Sequence, residues 1–250
     1  MSVETTERVK TGVTGLDDLI EGGLPAGRVI LVSGEPGSGK TILASQFLVS
    51  GIRKFGETGL FVCMEEARNH LYREMKRFGW DLEGLESAGS LGFVDATPLR
   101  LLPEKVNIGD VAIDRGDFSM MTLIQAINKE VQRIKPKRIV VDPITSLIIQ
   151  YPDIIQRRGA ILDLVGALVS SGATCIITSE LRHTGLKRRL DVEEFLSHGV
   201  ILLQNHLING SIVRAIQVEK MRETNCETQP KPYKISSSGI EVFAKESVFR

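Results

Sequence analysis

Short apolar runs rich in Val and Ile alternate with stretches of helical period along most of this chain. Continuous apolar runs read as strands buried on both faces, and the amphipathic stretches between them as helices that cover those faces. The alternation predicts an α/β fold with a mainly parallel central sheet flanked by helices. Val29 to Ser33 reads as a strand, with Thr41 to Lys54 as the helix after it. Leu60 to Met64 is a second strand. Asn69 to Phe78 is a helix, because Leu71, Met75 and Phe78 fall on one face. Leu91 to Val94 is a further strand, and the segment 101–118, which has no clear period, reads as a long loop. Ser119 is placed to cap a helix carrying a stripe of Ile124, Ile127, Val131 and Ile134, and Pro136 stops it. Arg138 to Asp142 is a strand, Ile154 to Ser170 a helix, and Ala173 to Ser179 another strand.

The pattern then changes. Val200 to Gln204 and Ile212 to Val218 flank Asn209-Gly210, the residue pair that a tight hairpin turn favours. Tyr233 to Ser236 and Ile240 to Phe243 add two strands around Ser238-Gly239, completing an antiparallel C-terminal β extension. No repeat, low-complexity tract or linker interrupts the chain. The expectation is one domain over residues 1–250, with its core at about 9–243, which suits a chain of 250 residues.

Composition adds exclusions. Lys plus Arg and Asp plus Glu stand at 31 each, so a globally basic nucleic-acid binder is not indicated. The three cysteines, Cys63, Cys175 and Cys226, are far apart and show neither metal-ligand spacing nor a disulfide framework. The polar start Met1-Ser2-Val3-Glu4 lacks a signal-peptide apolar stretch, and no apolar run is long enough to span a bilayer. A cytoplasmic protein with no membrane partner is expected.

The strongest chemical signal is Gly34-Glu35-Pro36-Gly37-Ser38-Gly39-Lys40-Thr41-Ile42, lying between a predicted strand and a predicted helix. Glycines there let backbone N–H groups converge on phosphate oxygens, and the helix that follows adds its positive end. Lys40 is positioned to reach the β- and γ-phosphates of ATP, and the Thr41 hydroxyl to ligate Mg²⁺. Asp142 ends the apolar strand Ile139-Val140-Val141, where a carboxylate can support Mg²⁺ from behind the ion's direct ligands. Glu65 and Glu66 follow another strand, and either can position and deprotonate an attacking water. His198 stands just before the strand Val200 to Gln204, where a structural role is the commoner case. Asn128-Lys129-Glu130 resembles the start of a guanine-reading motif but lies within a helix, so guanine specificity is set aside.

The series Thr11-Gly12-Val13-Thr14-Gly15-Leu16-Asp17, Gly22-Gly23-Leu24-Pro25 and the phosphate loop resembles the RecA superfamily, and more narrowly its KaiC-like branch. Glu65-Glu66, the Asp142 strand, Ser179-Glu180, Val192-Glu193-Glu194-Phe195 and Lys220-Met221-Arg222 also have counterparts there. The resemblance implies a ring-shaped homo-oligomer, often a hexamer, with ATP between subunits. It further implies that Lys220 and Arg222 reach a neighbour's γ-phosphate and act in catalysis. Three positions depart from the family pattern. Glu223 stands where Gly is common, so its carboxylate is placed to pair with Arg222; Cys226 replaces a frequent His, and His198 a frequent Asp. The clock-type phosphoacceptor pair is matched by Glu194-Phe195, neither of which has a hydroxyl to phosphorylate.

The leading expectation is therefore a Mg²⁺-dependent ATPase with slow turnover, acting as a conformational switch. Two alternatives differ in class. A recombinase paralogue would bind single-stranded DNA through the basic segment Arg182 to Arg189, which carries no aromatic residue for stacking. A signalling scaffold would bind ATP, barely turn it over, and engage another protein.

Overall fold

The computed structural model describes residues 7–101, 105–108, 111–181, 192–208 and 210–248. In chain order the main elements are β1 (Val29–Gly34), α1 (Lys40–Phe55), β2 (Gly59–Cys63), α2 (Arg68–Lys76), α3 (Leu82–Ser87) and β3 (Leu91–Asp95). There follow α4 (Arg115–Ile134), β4 (Arg138–Asp142), α5 (Thr145–Ile148), α6 (Ile154–Ser170), β5 (Thr174–Glu180) and α7 (Val192–Leu196). The long hairpin strands β6 (Gly199–Ile208) and β7 (Ser211–Met221) precede β8 (Lys231–Ser236) and β9 (Gly239–Val242).

One nine-stranded sheet runs in the order β9-β8-β7-β6-β1-β5-β4-β2-β3. The strands from β6 through β3 are all parallel, and β7, β8 and β9 extend the sheet antiparallel. The architecture is the expected α/β sheet with an antiparallel C-terminal extension. Alternate residues of β1 feed two separate cores. Ile30 and Val32 pack with Leu43, Phe47 and Leu48 of α1, whereas Val29 and Leu31 pack with Ile161, Leu164 and Leu168 of α6. A strand sandwiched this way has no solvent face, which is why its sequence shows no alternation. Register then brings the carboxyl ends of the central strands to one edge, with Gly34 opposite Glu180 and Cys63 opposite Asp142.

The N-terminal motif has a structural role. Asp17 Oδ1 accepts from the backbone N–H of Thr11 at 2.9 Å and from its hydroxyl at 2.7 Å, closing the turn on itself. Gly15, at φ 79°, abuts the Val242 carbonyl so closely that any side chain would collide with it. The buried Gln46 amide of α1 then donates to the carbonyls of Gly12 and Ile240, both at 3.1 Å, stapling both chain ends to one helix. Arg138, at 1% exposure, donates to the carbonyls of Lys10 and Phe47 at 2.8 Å, pairs with Glu57 and stacks on Phe47.

Two local expectations are corrected. The segment 101–118 is not a loop throughout, because Lys105–Ile108 pairs antiparallel with Val111–Asp114 and α4 begins at Arg115. A four-residue ladder is too short to display a period. Ser119 consequently lies inside α4 instead of capping it, with its hydroxyl buried and without a hydrogen-bond partner among the described residues. Asn209 of the hairpin turn and all of Arg182 to Arg189 lie outside the described residues, while Gly210 adopts the positive φ, 78°, that the turn reading asks for. Among the described residues, no helix is long and apolar enough to cross a membrane.

Candidate active site

The loop 34–41 leaves the carboxyl end of β1 and runs directly into α1. Gly37 and Gly39 take positive φ, 75° and 92°, which keeps this stretch of backbone tightly curled. A Cβ at Gly39 would press on Ile235 of β8 at 2.9 Å, so the loop sits flush against the C-terminal strands. Tyr233 of β8 donates its phenol to the Ser38 carbonyl at 2.6 Å, and Asn205 of β6 donates to Glu35 Oε2 at 3.0 Å. Lys40 turns back over the loop, donating to the carbonyls of Gly34 at 2.9 Å and Glu35 at 3.1 Å. Burial lowers its pKa, and Asp142, Glu180, Glu65 and Glu35 oppose that shift. Ser38 Oγ is buried beside the loop without a hydrogen-bond partner among the described residues.

Asp142 closes the other side. Its Oδ2 accepts the Thr41 hydroxyl at 2.8 Å and its Oδ1 the Thr178 hydroxyl. Burial raises its pKa, and the two hydroxyls and the Lys40 charge work against that. Among the described residues no three His, Cys, Asp or Glu side chains converge as a protein-only metal cage. One carboxylate and one hydroxyl are the sparse hard-oxygen set that suits Mg²⁺, which shares its shell with water and substrate phosphates. The residues present therefore fit both a polyphosphate and that cation.

Glu65 and Glu66 stand beside this pair, because Cys63 is in register with Asp142 and the Met64 N–H donates to the Asp142 carbonyl at 2.9 Å. Their settings differ. Glu65 accepts from the Ser146 hydroxyl and lines a cavity of about 310 Å³ with Arg115, Thr145, Gln150 and Glu180. Glu66 sits nearer Glu74 and His70, and partial burial, reinforced by Glu74, raises its pKa.

Lys220 and Arg222 are not brought to this cluster. Lys220 pairs with Val200, which lies opposite Leu31, and Arg222 donates its N–H to the His198 carbonyl at 2.9 Å. Both therefore lie toward the amino end of β1, whereas the phosphate loop leaves from the carboxyl end. Glu223 does not pair with Arg222, as its position suggests; it reaches Arg28 at 2.5 Å and takes a positive φ of 58°. That φ accounts for glycine at this place in the family pattern. His198 is a structural histidine, its Nδ1 accepting from the Val29 N–H at 3.2 Å, and burial lowers its pKa.

Thr178, Tyr233 and Asn205 also belong to the site and stand in none of the motifs that the sequence displays. Polar Thr178-Ser179-Glu180 after an apolar run was a readable signal for the first; Tyr233 and Asn205 carry none, since their roles come from strand order.

A phosphate loop beside a strand-end aspartate and a carboxylate pair, all on the carboxyl edge of a parallel sheet, defines a P-loop ATPase of RecA-type fold. The family model for the KaiC ATPase matches residues 9–247. The circadian clock oscillator protein KaiC of Synechococcus elongatus is 36% identical over 237 residues, covering 94% of this chain and 44% of its own. The circadian clock protein KaiC3 of Synechocystis is 36% identical over 244 residues, covering 97% of this chain and 46% of its own. The crystal structure of a KaiC-like protein from the hyperthermophilic archaeon Pyrococcus horikoshii superposes with a TM-score of 0.80 at 35% identity, covering 95% of this chain and 99% of that one. This chain belongs to the KaiC family of ATPases. It spans about half the length of the curated relatives it matches.

Proposed function

We propose that this protein hydrolyses Mg²⁺-bound ATP at the interfaces of a homo-oligomeric ring, a hexamer by family resemblance, and that turnover is slow and switches the ring's conformation. The observation that carries the ring is the placement of Lys220 and Arg222. They stand away from the protomer's own phosphate loop, so their family role requires a neighbouring subunit's ATP. A single sheet drawing strands from Val29 to Val242 supports treating the chain as one domain.

In this reading the backbone from Gly34 to Thr41 and the Ile42 N–H cradle the phosphates, and Lys40 exchanges its carbonyl partners for the β- and γ-phosphates. Thr41 and Asp142 hold Mg²⁺, which neutralises charge on the phosphate oxygens. Glu65, coupled to Lys40 and Asp142 and oriented by Ser146, positions the attacking water, with Glu66 behind it. Lys220 and Arg222 of the adjacent copy offset the charge that builds on the transferring group. The cysteines support a reducing cytoplasm: Cys63, Cys175 and Cys226 are all free thiols, and burial pushes that of Cys63 up to about 11.

Glu65→Gln tests the base assignment. It keeps shape and the Ser146 contact while removing the proton acceptor, so kcat is expected to fall by about 10²-fold or more with ATP affinity within a few-fold. Unchanged kcat in Glu65→Gln together with a collapse in Glu66→Gln would move the role to Glu66.

A further inference from the structure

Three consecutive residues at the end of β5 hold three different parts of the molecule. Thr178 donates to Asp142, Ser179 Oγ donates to Glu193 Oε1 of α7 at 3.0 Å, and the Glu180 N–H donates to Thr145 Oγ1 at 3.0 Å. Ser179 and Glu193 are 1% and 3% exposed. A carboxylate buried that deeply needs its hydrogen bonds, so α7 cannot shift without carrying Ser179 along or losing that bond. The next residue of α7 holds the far end: Lys220 Nζ donates to the Glu194 carbonyl at 2.9 Å. Glu193 itself is fixed within the short helix, its carbonyl accepting the Ser197 N–H at 3.1 Å and hydroxyl at 2.7 Å.

We propose that Ser179 and Glu193 are positioning residues that couple a protomer's own nucleotide site to the placement of its Lys220, and so to hydrolysis at the neighbouring site. The inference rests on the ring reading above. Its physical basis is continuity. Thr41 and Asp142 bond to one another at 2.8 Å here, and a Mg²⁺-nucleotide taken up by the Thr41 oxygen would set new charge against that pair. That change reaches Thr178 directly, the adjoining Ser179 through the strand, Glu193 through a buried bond, and Lys220 through the following carbonyl. A lysine ammonium held on the carbonyls of α7 is not at a neighbour's phosphate, so moving α7 changes the trans contribution. A ligand shifts such an equilibrium only through contacts that differ between its states, and the Thr41–Asp142 pair supplies them.

The test uses the full chain, with light scattering for assembly, equilibrium binding of a non-hydrolysable ATP analogue for affinity, and hydrolysis rate against ATP concentration for coupling. Wild-type protein is expected to show a Hill coefficient above 1. Ser179→Ala should retain ring mass and keep analogue affinity within about 3-fold while its Hill coefficient falls to about 1 and kcat drops. Glu193→Gln, which keeps the shape and weakens the acceptor, should lie between the two and carries the test if Ser179→Ala does not fold. A wild-type Hill coefficient of 1 in intact rings overturns the inference, as does a Ser179→Ala ring with wild-type cooperativity and kcat. A structural role alone would lower stability without touching cooperativity. A wild-type protein that remains monomeric with ATP overturns the ring reading itself, and light scattering separates that outcome from loss of coupling in intact rings.

Discussion

Arg138→Met is expected to destabilise the fold by about 3 kcal/mol, the low end for breaking a buried ion pair, because the Glu57 carboxylate left behind is partly exposed. The guanidinium serves several groups at once. It pairs with Glu57, satisfies the carbonyls of Lys10 and Phe47, and lies 4.5 Å above the Phe47 ring. Burial lowers its pKa, and the hydrogen bond and charge of Glu57 oppose this, so the carboxylate partner is what makes the buried charge tolerable. Methionine fills similar volume but donates nothing, so the Lys10 carbonyl loses this donor and the Phe47 carbonyl keeps only its bond within α1. Those carbonyls belong to the N-terminal segment and to α1, so the loss should loosen the bracket that carries the phosphate loop. Urea unfolding of the two proteins checks this, with a fall in melting temperature of roughly 10 °C as the companion sign. A change under about 1 kcal/mol would reduce Arg138 to the weight of a surface salt bridge.

The larger functional effect is expected from Lys220→Ala combined with Arg222→Ala. Cations that meet a transferring phosphoryl group contribute about 10³-fold or more to kcat, whereas the cradle that binds ATP is left intact. Turnover should therefore collapse while analogue affinity stays within a few-fold. Neither side chain bonds to the protomer's own phosphate loop. Lys220 rests on the carbonyls of Glu194 and Phe195 at 2.9 and 3.5 Å, and Arg222 follows from the same strand end. Wild-type turnover in the double variant would assign both to an ordinary solvated face.

Much of this architecture was legible because its strands are buried on both faces. Arg138–Asp142 and Ile154–Ser170 are found at the boundaries the sequence suggests. The first follows a helix-stopping Pro136, and Asp153 caps the second, accepting from the N–H groups of Ile155 and Gln156 at 2.9 and 3.0 Å. The phosphate loop was legible because its chemistry is local: one uninterrupted stretch, Gly34 to Ile42, carries the cradle. What sequence could not provide is strand order. The bonds Asp142–Thr178, Ser179–Glu193 and Ser38–Tyr233 join residues 36, 14 and 195 positions apart, and they exist only because β5 lies beside β4, and β8 lies near the loop. Short elements were also invisible, since the turn of α5, the five residues of α7 and the pair Lys105–Ile108 with Val111–Asp114 are shorter than any readable period. Glu223 misled for a different reason. Adjacency suggested a partner for Arg222, but a left-handed backbone turns its carboxylate toward Arg28 instead.

The most direct measurement is steady-state ATP hydrolysis by the purified full chain, with Mg²⁺ and with the metal chelated, alongside Lys40→Ala. Turnover is expected to depend on Mg²⁺ and to fall by at least about 100-fold when Lys40 is removed, with the variant still folded. Hydrolysis that persists unchanged in Lys40→Ala, or that ignores Mg²⁺, would contradict this expectation.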